Sequence, residues 1–271
     1  MSSTQYLISD ALWAKIEPLL PIHKTNHPLG THRKRVDNRD AMNGILFVLR
    51  TGCQWNALNA TGICTSSSAH RRFQEWRDAG VFERFWQNGL IYEGVDWRSV
   101  SMDGCQTKAP LAGKKTGKNP TDRAKQGVKR SLLTDANGLP LGVVSDGANV
   151  HDIKLVLQTL DALECYRPPL KVPLYLDKGY TGQWLHDELV ALNYIPHVQS
   201  RAEEAASLEQ SDDFKAHRWV VERTHSWLNR YRRLLVRWEK KIENYEAMLY
   251  FACGLIVWNK SLLGQVLRVV W

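Results

Sequence analysis

From about residue 96 onward the sequence predicts a mixed α/β unit, a sheet flanked by helices, preceded by an all-helical, helix-turn-helix-like region. Three observations predict it. Apolar residues recur every three or four positions up to about residue 95 and then gather into short, strand-length runs. Asn137-Gly138, a strong hairpin-turn signal, separates two such runs. The patterns then follow in the order strand, hairpin, helix, strand, helix, strand, helix.

Ser9 can cap a first helix carrying Leu12, Trp13, Ile16, Leu19 and Leu20, which stops at Pro21. A polar, basic stretch from His23 to Arg39 reads as a loop. Asn38 starts a second helix with Met42, Ile45, Leu46 and Leu49 on one side, and Gly52 ends it. A third helix fits Thr65 to Asp78, and a fourth begins near Val81 with Phe82, Phe85, Trp86 and Leu90. The second and third helices form a loose helix-turn-helix relative, because their connection exceeds the usual turn of about 3–4 residues. That reading sets Ser66, Ser67, His70, Arg71 and Arg72 near the start of a recognition helix, within reach of base edges. Plain helix packing is the equal alternative.

Ser99 to Asp103 reads as a strand ending on its acid, followed by a basic, glycine-rich loop from Ala112 to Lys129. Ser131–Thr134 and Leu141–Val144 flank the hairpin turn. Asp152 to Leu163 is an amphipathic helix, with Asp152 as its cap at the positive end of the dipole. Val172–Asp177 is a short strand from which Gly179 lets the chain turn away. Gln183–Leu192 is a helix and Tyr194–Val198 a strand. Long helices cover about 213–235 and 242–258. The chain thus divides into a helical region, 1–95, an α/β region, 96–260, and an apolar tail, 261–271.

A chain of 271 residues can bury one substantial core and a smaller second module. Its net charge of +8 and pI near 9.3 suit a polyanionic partner, held by contacts that weaken steeply with salt. The five cysteines are scattered, with no C-x-x-C pair, and read as reduced thiols rather than zinc ligands. The start MSSTQYLISD has no signal-peptide pattern, and the apolar run Met248–Trp258 falls short of the roughly 20 residues that span a bilayer. A cytoplasmic protein without a membrane partner is expected. Gly113-Lys114-Lys115-Thr116 lacks the upstream glycine of a phosphate-binding loop, Lys108 standing there, so no ATP site is expected.

Cutting a phosphodiester with water needs an activated nucleophile and a stabilised leaving oxygen. Two Mg²⁺ (or Mn²⁺) ions about 3.5–4 Å apart supply both, and hard cations take carboxylate oxygens. Asp103 and Asp177 each end a predicted strand; if those strands are neighbours, both acids emerge at one edge. Glu222, flanked by Trp219, Val220 and Val221, is an unusual acid for an ordinary surface position. Taken singly, a strand-end aspartate is more often a turn or cap residue, and pattern alone does not settle the trio.

Several stretches match a known family. They are Met102-Asp103-Gly104, Lys118 to Asp135, Ala148-Asn149-Val150-His151-Asp152, Leu176-Asp177-Lys178-Gly179-Tyr180 and Arg218 to Thr224. Ile16 to Pro21 and Leu49 to Trp55 match it as well. With these motifs the chain resembles insertion-sequence DDE transposases whose third acid lies in a tyrosine–arginine–glutamate–lysine signature. The resemblance implies an RNase H-like core, with Asp103, Asp177 and Glu222 as catalytic metal ligands. It implies binding to terminal inverted repeats, nicking there, and joining of the freed 3′-OH to target double-stranded DNA. Pairing two ends implies a homodimer or larger assembly, nucleoid-associated in the cell. The signature departs at two places, Lys215 in the tyrosine position and Asn229, next to Arg230, in the lysine position. Arg218, one helical turn from Glu222, keeps a phosphate-positioning role. Trp227, Leu228, Tyr231, Leu234, Leu235 and Trp238 form a core stripe on the same helix. A second stripe, Arg223, Arg230, Arg233 and Arg237, together with Lys114, Lys115, Lys129 and Arg130, is a candidate DNA-backbone surface. A nuclease without strand transfer, or a DNA-binding regulator without chemistry, would be the alternatives.

Overall fold

In the computed structural model residues 7–23, 35–199 and 219–262 are described, the side chains of 199 and 260–262 excepted. Arg218, Lys215 and nearly all of the apolar tail therefore lie outside the described residues.

Four helices come first: α1 (Asp10–Ile16), α2 (Asn38–Thr51), α3 (Ser66–Asp78) and α4 (Val81–Glu93). Their limits follow local chemistry. The Ser9 hydroxyl accepts from the Leu12 amide at 3.3 Å, Asp37 caps α2 through the Arg39 and Asp40 amides, and Gly52 closes α2 at φ +70°. The sheet contains β1 (Val100–Lys108), β2 (Gly117–Lys118), β3 (Gln126–Asp135), β4 (Pro140–Gly147), β5 (Val172–Asp177) and β6 (Tyr194–Gln199). Its order is β2-β3-β1-β5-β6, with β4 also pairing with β3. β1, β3 and β4 form an antiparallel meander, while β1–β5 and β5–β6 are parallel. This is the RNase H-like mixed sheet. Short α5 (Val156–Asp161) and α6 (Gln183–Ala191) lie in the crossovers, followed by α7 (Trp219–Asn229), α8 (Arg232–Leu235) and α9 (Ile242–Leu262).

The sheet and the N-terminal helices share one apolar cluster, because α9 returns to pack on α4. Phe82 and Phe85 meet Phe251, and the Trp258 indole donates to the Phe85 carbonyl at 3.0 Å.

Four sequence-based expectations need correction. The first strand does not stop at Asp103 but runs to Lys108, since residues 100–108 pair continuously with β3. The loop does not reach Lys129, because buried strand β3 already begins at Gln126. Asp152 is not the helix cap: His151 Nδ1 accepts from the Ile153 amide at 3.3 Å, and Asp152 opens a 3₁₀ turn leading into α5. The long helix breaks after Asn229, which rotates Leu235 and Trp238 out to solvent instead of into the core stripe.

Candidate active site

The first two acids are placed by strand register. β1 and β5 pair in parallel as Val100 with Leu174 and Ser101 with Tyr175, and the ladder then ends. The same offset carried forward sets Asp103 opposite Asp177, just past the point where the strands part. Asp103 points from mid-strand and accepts from the Gly104 amide at 2.8 Å. Asp177 ends its strand and accepts from the Gly179 amide at 2.8 Å, the glycine turning the chain away as its lack of a side chain allows.

Glu222 comes from α7, and its three C-terminal neighbours dock that helix. Arg223 donates to the Asn137 carbonyl at 2.8 Å, and Thr224 Oγ1 to the Gly138 carbonyl at 2.7 Å. His225, buried, meets the Asp103 carbonyl through Nε2 at 3.2 Å. Burial pushes the His225 imidazole down to about 3, helped by nearby Arg130, so the ring is neutral and Nε2–H must be the donor. The helix carrying the third acid is thereby bonded to the residue carrying the first.

Electrostatics report the convergence. The Asp103 carboxyl is pushed up to about 6, chiefly by burial and further by the charges of Asp177, Glu222 and Asp152, against the pull of the Gly104 hydrogen bond. Among the described residues no set of three His, Cys, Asp or Glu side chains is drawn together tightly enough to hold an ion as it stands. The donor chemistry nevertheless fits a hard divalent cation: carboxylate oxygens from three elements, and repulsion that a cation would relieve.

Comparison with known proteins gives the family of the chain. A family profile described as a transposase DDE domain matches residues 95–257, and one described as a candidate transposase of the IS4/5 family matches residues 8–86. The chain belongs to the DDE transposases. The transposase is 40% identical over 151 residues to the candidate transposase of insertion sequence element IS402 from Burkholderia cepacia, spanning 54% of this chain and 69% of that protein. It is also 38% identical over 119 residues to a 16.2 kDa uncharacterised protein of the same element, spanning 42% of this chain and 81% of that one. A Mos1 transposase paired-end complex with the left transposon end aligns over 88% of this chain and 82% of that one, at 13% identity and a TM-score of 0.29, a likeness too slight to bear on the assignment. As a DDE transposase it is an enzyme that cuts and joins DNA with divalent metal. Among the described residues no helix is long and apolar enough to cross a membrane.

The structure separates the basic residues that sequence had grouped. Arg71, Lys114, Lys115 and Arg230 are exposed, with Lys114 and Lys115 near Glu243 and Glu246 of α9. His70 is half-buried against the Trp55 ring, its pKa lowered chiefly by burial. Four others are corrections. Arg72 is buried and donates to the Val36 carbonyl; Lys129 is buried on Asp152; Arg130 is fully buried and donates to Asn229 and Cys105. Arg233 is sealed in an ion pair with Glu239 at 2.6 Å. Their charges are committed to the interior and face no phosphate. Arg223 is half-buried between the Trp219 and Trp227 rings, 4.3 and 4.7 Å from their centres, so its work is to pin α7.

Sequence reasoning missed His225, Lys129 and Tyr180 as neighbours of the acids. Spacing hinted at two of them, and nothing local hinted at Lys129. His225 lies three residues after Glu222 on one helical face, and Tyr180 three after Asp177.

Proposed function

We propose that Asp103, Asp177 and Glu222 hold two Mg²⁺ or Mn²⁺ ions, and that the transposase uses them to nick the ends of its element and join the freed 3′-OH to target DNA. The observation that carries this reading is the register that sets Asp103 opposite Asp177 just past the end of the β1–β5 pairing, with the charges of Asp177 and of Glu222 from α7 both acting on the Asp103 carboxyl. When bound, the ions would activate the attacking oxygen and stabilise the leaving one. The chain's own part is positioning. The neutral His225 ties the Glu222 helix to Asp103, and the hairpin turn fixes that helix from its other side.

Residues 1–95 serve as the DNA-binding region for terminal inverted repeats, and residues 96–260 as the catalytic region. Exposed Arg71, Lys114, Lys115 and Arg230, with Arg218, supply contacts to the DNA backbone. Two transposon ends brought together call for at least a homodimer on DNA, acting in the cytoplasm at the nucleoid.

The test compares the parent chain with Asp177→Asn on DNA carrying the element's ends, with Mg²⁺. The variant should neither nick nor join. If it cut and joined as well as the parent, the three-acid reading would be wrong. Joining of a pre-nicked 3′ end to a second duplex separates strand transfer from simple nuclease action.

A further inference from the structure

A fourth acid stands beside the three. Asp152 is freed from capping by His151 and held instead by Lys129, whose ammonium donates to Asp152 Oδ2 at 2.8 Å and to the Val150 carbonyl at 2.7 Å. Lys129 is 3% exposed, so this ammonium is fixed at two points inside the protein. The other oxygen, Asp152 Oδ1, is sealed from solvent and has no hydrogen-bond partner. It lies over the backbone of Gly104, where any side chain would collide with it. The residue after Asp103 thus has to be glycine for Asp152 to come this close, and the charge of Asp152 reaches the Asp103 carboxyl.

A second polar group at the same place is also unmatched. Tyr180 is 2% exposed and its hydroxyl has no partner. The turn Lys178–Tyr180 directly follows Asp177 and packs on the turn that begins at Asp152, and the charges of Asp103, Asp152 and Asp177 add to burial in raising the Tyr180 pKa. Buried polar atoms are almost always hydrogen-bonded. Two unpartnered buried atoms on adjacent turns beside Asp103 and Asp177 point to a ligand that satisfies both, and the surplus of carboxylates over the one buried ammonium favours a cation with its water.

We propose that Asp152, oriented by the buried Lys129, is a fourth carboxylate of the metal centre and offers Oδ1 to a divalent ion. Tyr180 donates from its hydroxyl to a water or carboxylate oxygen of that centre. This rests on the reading of Asp103, Asp177 and Glu222 as metal ligands. The competing role for Asp152 is that of a counter-ion to Lys129 alone, and the two differ in what metal binding does.

Mn²⁺ binding to the full chain without DNA, followed by the paramagnetic resonance of free Mn²⁺, distinguishes them. Asp152→Asn should weaken Mn²⁺ binding at least five-fold, while Asp161→Asn, the same charge change at an exposed site on α5, should leave it unchanged. Asp152→Glu should recover part of the loss. Should Asp152→Asn fail to fold, the double variant Lys129→Met with Asp152→Asn removes both members of the ion pair and carries the same expected loss. Parental Mn²⁺ affinity in Asp152→Asn, alongside a loss in Asp177→Asn, would overturn the fourth carboxylate and leave the three-acid reading standing. A parent chain that bound no Mn²⁺ would overturn both.

Discussion

Asp103→Asn should make the metal-free transposase more stable while abolishing its chemistry. Burial and three neighbouring acids raise the Asp103 carboxyl from 3.8 to about 6. A rise of roughly two pKa units corresponds to roughly 3 kcal/mol of disfavour toward the ionised form, at about 1.36 kcal/mol per unit. The sign follows from which state binds the proton. Below about pH 4 the carboxyl is protonated in both folded and unfolded chains, and the penalty is absent. It grows as pH rises from there and is complete above about 6, where the unfolded chain has long released its proton. Asparagine keeps the oxygen that accepts from the Gly104 amide and carries no charge. In chelator at pH 7.5, Asp103→Asn should therefore gain up to about 3 kcal/mol, on the order of 5–10 °C in midpoint for a chain of this size. At pH 4 the two proteins should be alike. Urea and thermal unfolding at both pH values measure this, with DNA nicking followed in parallel. A variant no more stable than the parent at pH 7.5 would mean that Asp103 is not held among like charges, and the convergence of the acids would lose its main support.

Arg233→Ala tests the reassignment of that arginine to the interior. It would strand a buried Glu239 and should cost about 3–5 kcal/mol in urea unfolding, with the salt dependence of DNA binding unchanged in the folded protein. A variant of parental stability with a shallower salt dependence would return Arg233 to the DNA surface. Lys114→Gln should show the opposite pattern: unaltered stability, and a log–log salt slope of DNA affinity reduced by about 0.9 if one phosphate contact is lost. An unchanged slope would remove Lys114 from the interface.

Much of the fold could be read from local chemistry. Ser9, Gly52 and Asn137-Gly138 bound their elements through interactions within a few residues, and those limits hold to within a residue or two. β5 and the turn after Asp177 were equally plain, because a short apolar run ending in Asp-x-Gly allows few alternatives. Local pattern failed where a distant partner decides. Lys129 and Arg130 look like DNA-facing surface cations in sequence, yet they lie in the sheet and bond Asp152 and Asn229, 23 and 99 residues away. Arg233 and Arg237 look like part of a DNA-facing stripe until the break after Asn229 turns them inward onto Glu239 and the backbone of Lys114 and Lys115.

The sequence by itself determined the family and the mixed α/β architecture and nominated the three acids, because each of these rests on short motifs and local patterns. Only the tertiary structure decided how those acids meet. The parallel pairing of β1 with β5 sets Asp103 beside Asp177, and the His225 bond lays the Glu222 helix against them. It alone turned His151 into the cap and released Asp152 toward the site. The pairing and the His225 bond join residues at least 74 positions apart in sequence, a separation over which no local periodicity carries information.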